Sequence, residues 1–260
     1  MTLTQIFSAS ICHSDDLLKL YNALLSRSYR AAKSNWVDRV YEQNLIRWAR
    51  KDGLWRSHGA DLLIIGNNKC QIKQSSFQQD FLTVILRSSL MFAMSAVDKI
   101  LHEAVSKNFM KLVKSEEIDR LTSIPISQSY SIAIESRKRK GKGGKVKARP
   151  GHMLKEHVLQ EIYKHSFLGN RRVEEICSMC EKKKVFSLFA NHINDGSTAD
   201  QISKRWASLY IKRNHIVHEC DMVRKEKAKR IDFNKVNTKK VIEDIGFVKK
   251  FGLFLAAELN

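Results

Sequence analysis

The stretch that decides the fold is LRSSLMFAMSAVDKILHEAV, residues 86–105. It contains neither glycine nor proline, and its large apolar residues recur at steps of three and four, the spacing of one face of an α-helix. These residues are Leu90, Met94, Val97, Leu101 and Val105. The pattern predicts a helix from Gln78 to about Lys114 that packs its apolar face against neighbouring helices.

Composition favours the same fold class for the rest of the chain. At 260 residues and 43% hydrophobic, the protein can bury a sizeable core in one large domain or two small ones. Its 2 prolines and 11 glycines are too few for the many turns of a sheet-rich protein. We therefore predict an all-α fold, a bundle of helices.

Further helices are predicted on both sides of this stretch. Ser14, followed by two aspartates, is typical of a helix start. The text ADLLIIGNNKCQIK, residues 60–73, predicts a small β-hairpin around its Gly-Asn-Asn turn. The remaining predicted helices are Trp36–Lys51, Met153–His165, Arg171–Lys182, Val185–Ile193, Thr198–Val223 with caps at Ser197, Thr198 and Asp200, and one from about Asn237. We expect residues 1–76 to be an N-terminal helical extension and residues 77–260 to form the main helical domain.

The charge balance points to a polyanionic partner. Lysine and arginine number 46 against 27 acidic residues, a net charge of +19, and basic side chains gain free energy by releasing counterions from phosphates. Nucleic acid is the leading candidate, with a membrane surface as the rival. The first fifteen residues lack the order of a signal peptide, and the longest apolar run, Phe81–Val97, carries Arg87. We expect a cytoplasmic protein with no membrane span.

A basic segment, RKRKGKGGKVKAR at residues 137–149, interrupts the helical pattern. Its like charges repel one another, so it predicts a loop that grips RNA phosphates without reading bases. The alternative is a solvated linker. The candidate RNA-binding residues are Arg137, Lys138, Arg139, Lys140, Lys142, Lys145, Lys147 and Arg149.

Two motifs with possible chemistry have plain alternatives. Cys177 and Cys180 form a CxxC pair, but no second pair completes a zinc site, and small buried residues are the other interpretation. Asp98 and His102 lie one turn apart on a helix face, as a general acid/base pair or as a half-exposed polar pair. We expect no metal and no cofactor.

An arginine interrupts an otherwise apolar helical seam near the C-terminus. The seam is formed by Ile202, Trp206, Leu209, Ile216 and Cys220, and Arg213 fills its gap. A buried guanidinium must meet a carboxylate, line a wet cleft or face a phosphate. Asn214 and His218 share a face one turn apart, so a cation, an amide and an imidazole lie together. This set suits RNA phosphodiester cleavage, while a buried salt bridge beside a surface histidine is the alternative.

The segment RNHIVHE, residues 213–219, resembles the Arg-x4-His signature of the HEPN superfamily. Residues 86–105 and the segment NRRVEEICSMC, residues 170–180, are similar to segments of its RiboL-PSP-HEPN branch, so the resemblance extends from residue 77 onward. It implies a homodimeric helical bundle and a metal-independent endoribonuclease that leaves 2′,3′-cyclic phosphate and 5′-hydroxyl ends. Many such enzymes are toxins or antiviral effectors that cut transfer or messenger RNA.

Carried onto this chain, the resemblance assigns roles to four residues. Arg213 would stabilise phosphate, Asn214 would hold the site or substrate, and His218 would transfer protons. Asp98 would orient Arg213 or His218. Cys220 stands where one toxin branch has a tyrosine that its antitoxin adenylylates, so we do not expect that antitoxin to act here.

The expected nuclease activity implies a regulatory partner, and an alternative function remains open. A nuclease of this kind is expected to need an inhibitor or a trigger protein, since free activity would kill the host. The alternative function is a non-catalytic, dimeric HEPN protein that binds RNA or DNA as an assembly or regulatory subunit.

Overall fold

The computed structural model describes residues 1–25, 29–31, 54–57, 63–65, 79–121, 131, 150–219 and 234–260. Over these residues the chain is predominantly helical, as its periodicity and low glycine and proline content predict. The helices are α1 (Leu3–Leu25), α2 (Gln79–Lys114), α3 (Pro150–Ile162), α4 (Asn170–Met179), α5 (Val185–Ile193), α6 (Ala199–Glu219) and α7 (Thr238–Glu258), with a 3-10 turn at Glu117–Arg120.

Among the described residues, three short strands form a small antiparallel sheet: β1 (Tyr29–Ala31), β2 (Leu54–Ser57) and β3 (Leu63–Ile65). The order is β1-β2-β3, with Tyr29 opposite Ser57 and Leu54 opposite Ile65. Of the hairpin expected within residues 60–73, the structure describes one strand, β3. This strand pairs with β2, which precedes it in the chain. The Gly-Asn-Asn turn itself lies outside the described residues.

Two compact units divide the chain, and each draws on separate segments. The first unit contains Met1–Ile11, Ala93–Met222 and Gly246–Asn260, and the second contains Cys12–Phe92 and Val223–Ile245. Helices α1, α2 and α7 each contribute residues to both units. The boundary expected at residue 76, the helix expected at Trp36–Lys51 and the basic loop at residues 137–149 lie outside the described residues.

Side-chain caps mark the starts of α1 and α6. Thr2 and Gln5 form a reciprocal pair at the start of α1, in which each backbone N–H donates to the other's side-chain oxygen. Thr198 and Gln201 repeat this arrangement at the start of α6, which agrees with the predicted cap at Thr198. The helix start predicted at Ser14 is wrong, because α1 already begins at Leu3 and Ser14 lies inside it.

Ser14 has a packing role instead. Its side chain is fully buried, and its hydroxyl lies 2.9 Å from the hydroxyl of Ser89 on α2. The Ser89 hydroxyl also donates to the Ser14 carbonyl oxygen at 2.9 Å. A serine followed by acids is typical of a cap, but only the neighbouring helix reveals this buried pair.

The core of the first unit combines an aliphatic seam with a cluster of aromatic rings. Met94, Val97, Leu101 and Val105 of α2 are all fully buried, as their spacing predicts. The ring of Phe251 lies 5.0 Å from that of Phe189 and 4.8 Å from that of Trp206, centroid to centroid. These contacts fix α5 and α6 against α7 and set the position of the site described next.

Candidate functional site

The first half of α6 is anchored in the core. Ile202, Trp206 and Leu209 are buried, and the Trp206 indole Nε1 donates to the Leu168 carbonyl oxygen at 2.7 Å. The Asn170 amide donates to the backbone oxygen and the hydroxyl of Ser203, both at 2.7 Å. A buried indole that keeps its hydrogen bond positions the helix as well as packing it.

The last turns of α6 leave the core. No residue from Tyr210 to His218 is fully buried, and the apolar Ile211 and Val217 are 55% and 43% exposed. Ile216 is half-buried, so the predicted seam weakens after Leu209, while Cys220 lies outside the described residues. A surface that exposes apolar, amide and imidazole groups together is suited to a partner or substrate.

Arg213 lies in line with the buried seam and is half-buried. Its Nη1 donates to Asn214 Oδ1 at 3.1 Å. Its Nε is one of three buried side-chain nitrogen or oxygen atoms without a hydrogen-bond partner, the others belonging to His102 and His157, over the part of the chain that the structure describes. No carboxylate in that part forms an ion pair with Arg213, so the buried salt bridge considered from the sequence is not seen there.

Asn214 links two sides of the helix. At about 100° of rotation per residue, Ile211, Asn214, His215 and His218 occupy one arc about 100° wide, opposite the buried seam. We call these four residues the exposed arc. His215 and His218 are exposed and Asn214 is half-buried. The Arg213 guanidinium therefore reaches from the seam side of α6 to the edge of the exposed arc, where Asn214 holds it.

Asp98 lies beside Phe167 and His102. Its Oδ1 accepts a hydrogen bond from the Phe167 backbone N–H at 2.7 Å and lies 3.8 Å from His102 Nε2. Within the described ranges, no hydrogen bond or ion pair joins Asp98 to Arg213 or His218. The structure thus unites Arg213 with Asn214, and Asp98 with His102.

His102 is buried, whereas the polar-pair interpretation expected it to be half-exposed. It is 6% exposed, and its ring stacks on that of Phe167 at 4.3 Å between centroids. Burial lowers the pKa of His102, and the nearby Asp98 carboxylate opposes that shift. The imidazole is held as part of the core, in contact with Tyr163 as well.

The CxxC pair is embedded in packing. Cys177 is fully buried, and burial raises the pKa of its thiol. Burial also raises the pKa of the Cys180 thiol to about 11, and Asn108 Nδ2 lies 3.5 Å from its sulfur. Over the described residues, no group of three or more His, Cys, Asp or Glu side chains is arranged to hold a metal ion.

His215, which had no predicted role, lies on the exposed arc beside His218. The sequence signal for His215 is that it precedes His218 by three residues, the spacing of neighbours on a helix face. The eight basic residues proposed to hold RNA lie outside the described residues.

Comparison with known proteins adds no match. The chain matches no protein-family model, no curated protein and no solved structure. None of the helices in the described ranges is both long and apolar enough to cross a membrane. The function of this protein is therefore inferred from its own residues, among them the segment RNHIVHE at residues 213–219.

Proposed function

We propose that the protein is a metal-independent endoribonuclease of the HEPN type, which cuts transfer or messenger RNA to 2′,3′-cyclic phosphate and 5′-hydroxyl ends. One observation carries the proposal. A half-buried guanidinium, whose buried Nε has no hydrogen-bond partner among the described residues, is held by Asn214 on the helix that exposes His218 one turn later. A cation kept without a carboxylate on such a surface is suited to a phosphate.

The chemistry assigns a task to each of the three groups. An imidazole changes charge near neutral pH, so His218 can take the proton of the attacking 2′-hydroxyl. Arg213 cannot lose its charge and stabilises the negative charge that grows on the phosphorus oxygens. Asn214 holds Arg213 through its side-chain oxygen, which limits the motion of the guanidinium before substrate arrives.

Asp98 enters the proposal as a positioning residue. Its carboxylate fixes the Phe167 N–H, and the Leu168 carbonyl in the next residue accepts the hydrogen bond from Trp206 of α6. Through this short path Asp98 influences where α6 lies. We therefore propose that Asp98 acts through this path and not by direct contact with Arg213 or His218.

The partners and setting belong to the same proposal. The net charge of +19 favours binding to RNA phosphates, with residues 137–149 as the principal contact. A homodimer would bring two copies of the Arg213 and His218 pair together, as the resemblance implies. We further propose that the enzyme is a cytoplasmic toxin or antiviral effector restrained by an inhibitor or awaiting a trigger.

A second candidate function is supported by the charge alone. A non-catalytic, dimeric HEPN protein that binds RNA or DNA needs only the basic surface, since counterion release supplies most of non-specific affinity. In that case, neutralising Arg137, Lys138, Arg139 and Lys140 weakens binding and reduces its salt dependence, while RNA stays intact.

The test compares wild type, Arg213→Ala and His218→Ala on total cellular RNA in EDTA, with the product ends examined for cyclic phosphate. His152→Ala is the matched control, because His152 is an exposed histidine that lies outside the proposed site. We expect wild type and the control to cut, and each site variant to lose about 100-fold or more in rate.

If the two site variants still fold and still bind RNA, their loss of cutting comes from lost chemistry and not from a damaged structure. Thermal melting and an RNA-binding titration measure both properties. If His218→Ala cuts as fast as wild type, the nuclease assignment is wrong. If wild type binds RNA and leaves it intact with purified candidate triggers present, the binding function replaces it.

A further inference from the structure

His215 is an exposed imidazole on the exposed arc, three residues before His218. Helix geometry places the Cβ atoms of residues at this spacing about 5–6 Å apart. Neither histidine forms a hydrogen bond or an ion pair within the described ranges, and each ring is therefore available to a molecule bound against this face. A histidine that stabilises the fold is instead packed, as His102 is against Phe167.

Cleavage through a 2′-hydroxyl requires two proton transfers. The 2′-oxygen must lose a proton as it attacks phosphorus, and the departing 5′-oxygen must gain one as its bond to phosphorus breaks. Arginine keeps its protons throughout, and the asparagine amide is neither an effective acid nor an effective base near neutral pH. Of the four residues in the exposed arc, His215 and His218 are the two that can move a proton.

We infer that His215 is the second proton-transfer residue of the site and acts as the general acid toward the 5′-oxygen. This inference rests on the proposed ribonuclease function. Neutral His218 takes the 2′-hydroxyl proton while the O2′–P bond forms, and protonated His215 donates a proton while the P–O5′ bond breaks. One proton leaves the RNA and one enters it, and exchange with water returns both imidazoles to their starting states.

The positions of these side chains around α6 support His218 as the general base and His215 as the general acid. Arg213 approaches the arc from the seam side, at the edge held by Asn214, whereas His215 lies at the opposite edge with His218 between them. A phosphate held by Arg213 over the arc would therefore meet His218 first. The far side of the same phosphate group would face His215, which matches the in-line arrangement of attacking and leaving oxygens.

The experiment uses the full chain and a short RNA that spans a cut mapped in total cellular RNA. One form of this RNA is ordinary, and the other has sulfur in place of the bridging 5′-oxygen at the cut linkage. A thiolate leaves without being protonated, so it needs no general acid. Rates are measured for wild type, His215→Ala, His218→Ala and the His152→Ala control.

We expect His215→Ala to cut the ordinary RNA about 100-fold or more slowly and to cut the sulfur-containing RNA close to the wild-type rate. His218→Ala should remain slow on both RNAs, because the 2′-hydroxyl still needs a base.

Several outcomes would overturn the inference while wild-type cutting leaves the proposed function standing. The first is that His215→Ala cuts the ordinary RNA at the wild-type rate. The second is that His215→Ala, with unchanged melting temperature and RNA affinity, is slowed equally on both RNAs. The third is that the sulfur-containing RNA restores cutting by His218→Ala. Melting temperature and RNA affinity show whether equal slowing comes from a damaged fold. A wild type that cuts neither RNA with the purified candidate triggers present would overturn both the inference and the proposed function.

Discussion

The guanidinium of Arg213 donates a hydrogen bond from Nη1 to Asn214 Oδ1 at 3.1 Å, while its buried Nε has no hydrogen-bond partner in the part of the chain that the structure describes. An unsatisfied buried donor carries a desolvation cost that no contact in the described ranges offsets. The presence of Arg213 at this position is thus better explained by function than by stability.

The first prediction separates the stability and the activity of Arg213. Arg213→Met keeps a long side chain but removes the unpaired donor, so we expect the free energy of unfolding to rise by about 1–3 kcal/mol. Urea titration measures that change, and RNA cutting should be lost in the same variant. Arg172→Met is the control, because Arg172 pairs with Glu175 at the surface and should shift stability by less than about 1 kcal/mol. A less stable Arg213→Met would show that the arginine supports the fold.

The second prediction concerns the buried serine pair. Ser89 donates to the Ser14 carbonyl, which leaves the Ser14 hydroxyl to donate to Ser89 Oγ. Ser89→Ala strands a buried hydroxyl and should cost about 1–3 kcal/mol, whereas Ser14→Ala leaves Ser89 bonded to the carbonyl and should cost about 1 kcal/mol. Urea titrations of both variants and of the double variant measure the difference. Equal costs would contradict this direction of donation.

The third prediction uses two glycines of α7. A Cβ at Gly252 would overlap the buried ring of Phe7 and lie 3.1 Å from Val97 Cγ2, whereas a Cβ at Gly246 meets nothing within 4 Å. Gly252→Ala should therefore destabilise the protein by about 1–3 kcal/mol through overpacking. Gly246→Ala should stabilise it by up to about 1 kcal/mol, because alanine favours the helix. Thermal melts of the two variants should shift in opposite directions, and a shared direction would mean that α7 does not pack as described.

The fourth prediction is a pH dependence of stability. Burial lowers the pKa of His102 below its ordinary value of 6.5, so the unfolded chain binds this proton at a higher pH than the folded chain. The corresponding stability is present above 6.5 and is lost as the pH falls from there toward the lower folded pKa. Asp98 and Glu103 oppose the shift, and Lys99 adds to it.

His102→Phe keeps an aromatic ring against Phe167 but cannot bind a proton. Unfolding free energies of wild type and variant, measured from pH 7 downward, should therefore show a steeper loss in the wild type. His152→Phe, at an exposed position, is the control. Parallel curves for wild type and His102→Phe would mean that His102 does not sense this pH range.

Prediction from the sequence succeeded where the pattern was local and long. The helix expected at Gln78–Lys114 was found at Gln79–Lys114, and the expected Val185–Ile193 was found with those bounds. Both have apolar residues at helical spacing over several turns. The start predicted at Ser14 failed because a serine before two acids caps a helix only where no helix already passes through it.

The sequence by itself determined the helical class, the cap at Thr198 and the position of Arg213 in line with a buried seam, since these depend on neighbours within a few residues. Only the tertiary structure decided that Asp98 holds the Phe167 amide and His102, that the seam of α6 leaves the core after Leu209, and that His215 is exposed beside His218. Those facts depend on which helices meet and where one extends beyond its neighbours. Periodicity shows which face of a helix is apolar, but it does not show how far along the helix a neighbour covers that face.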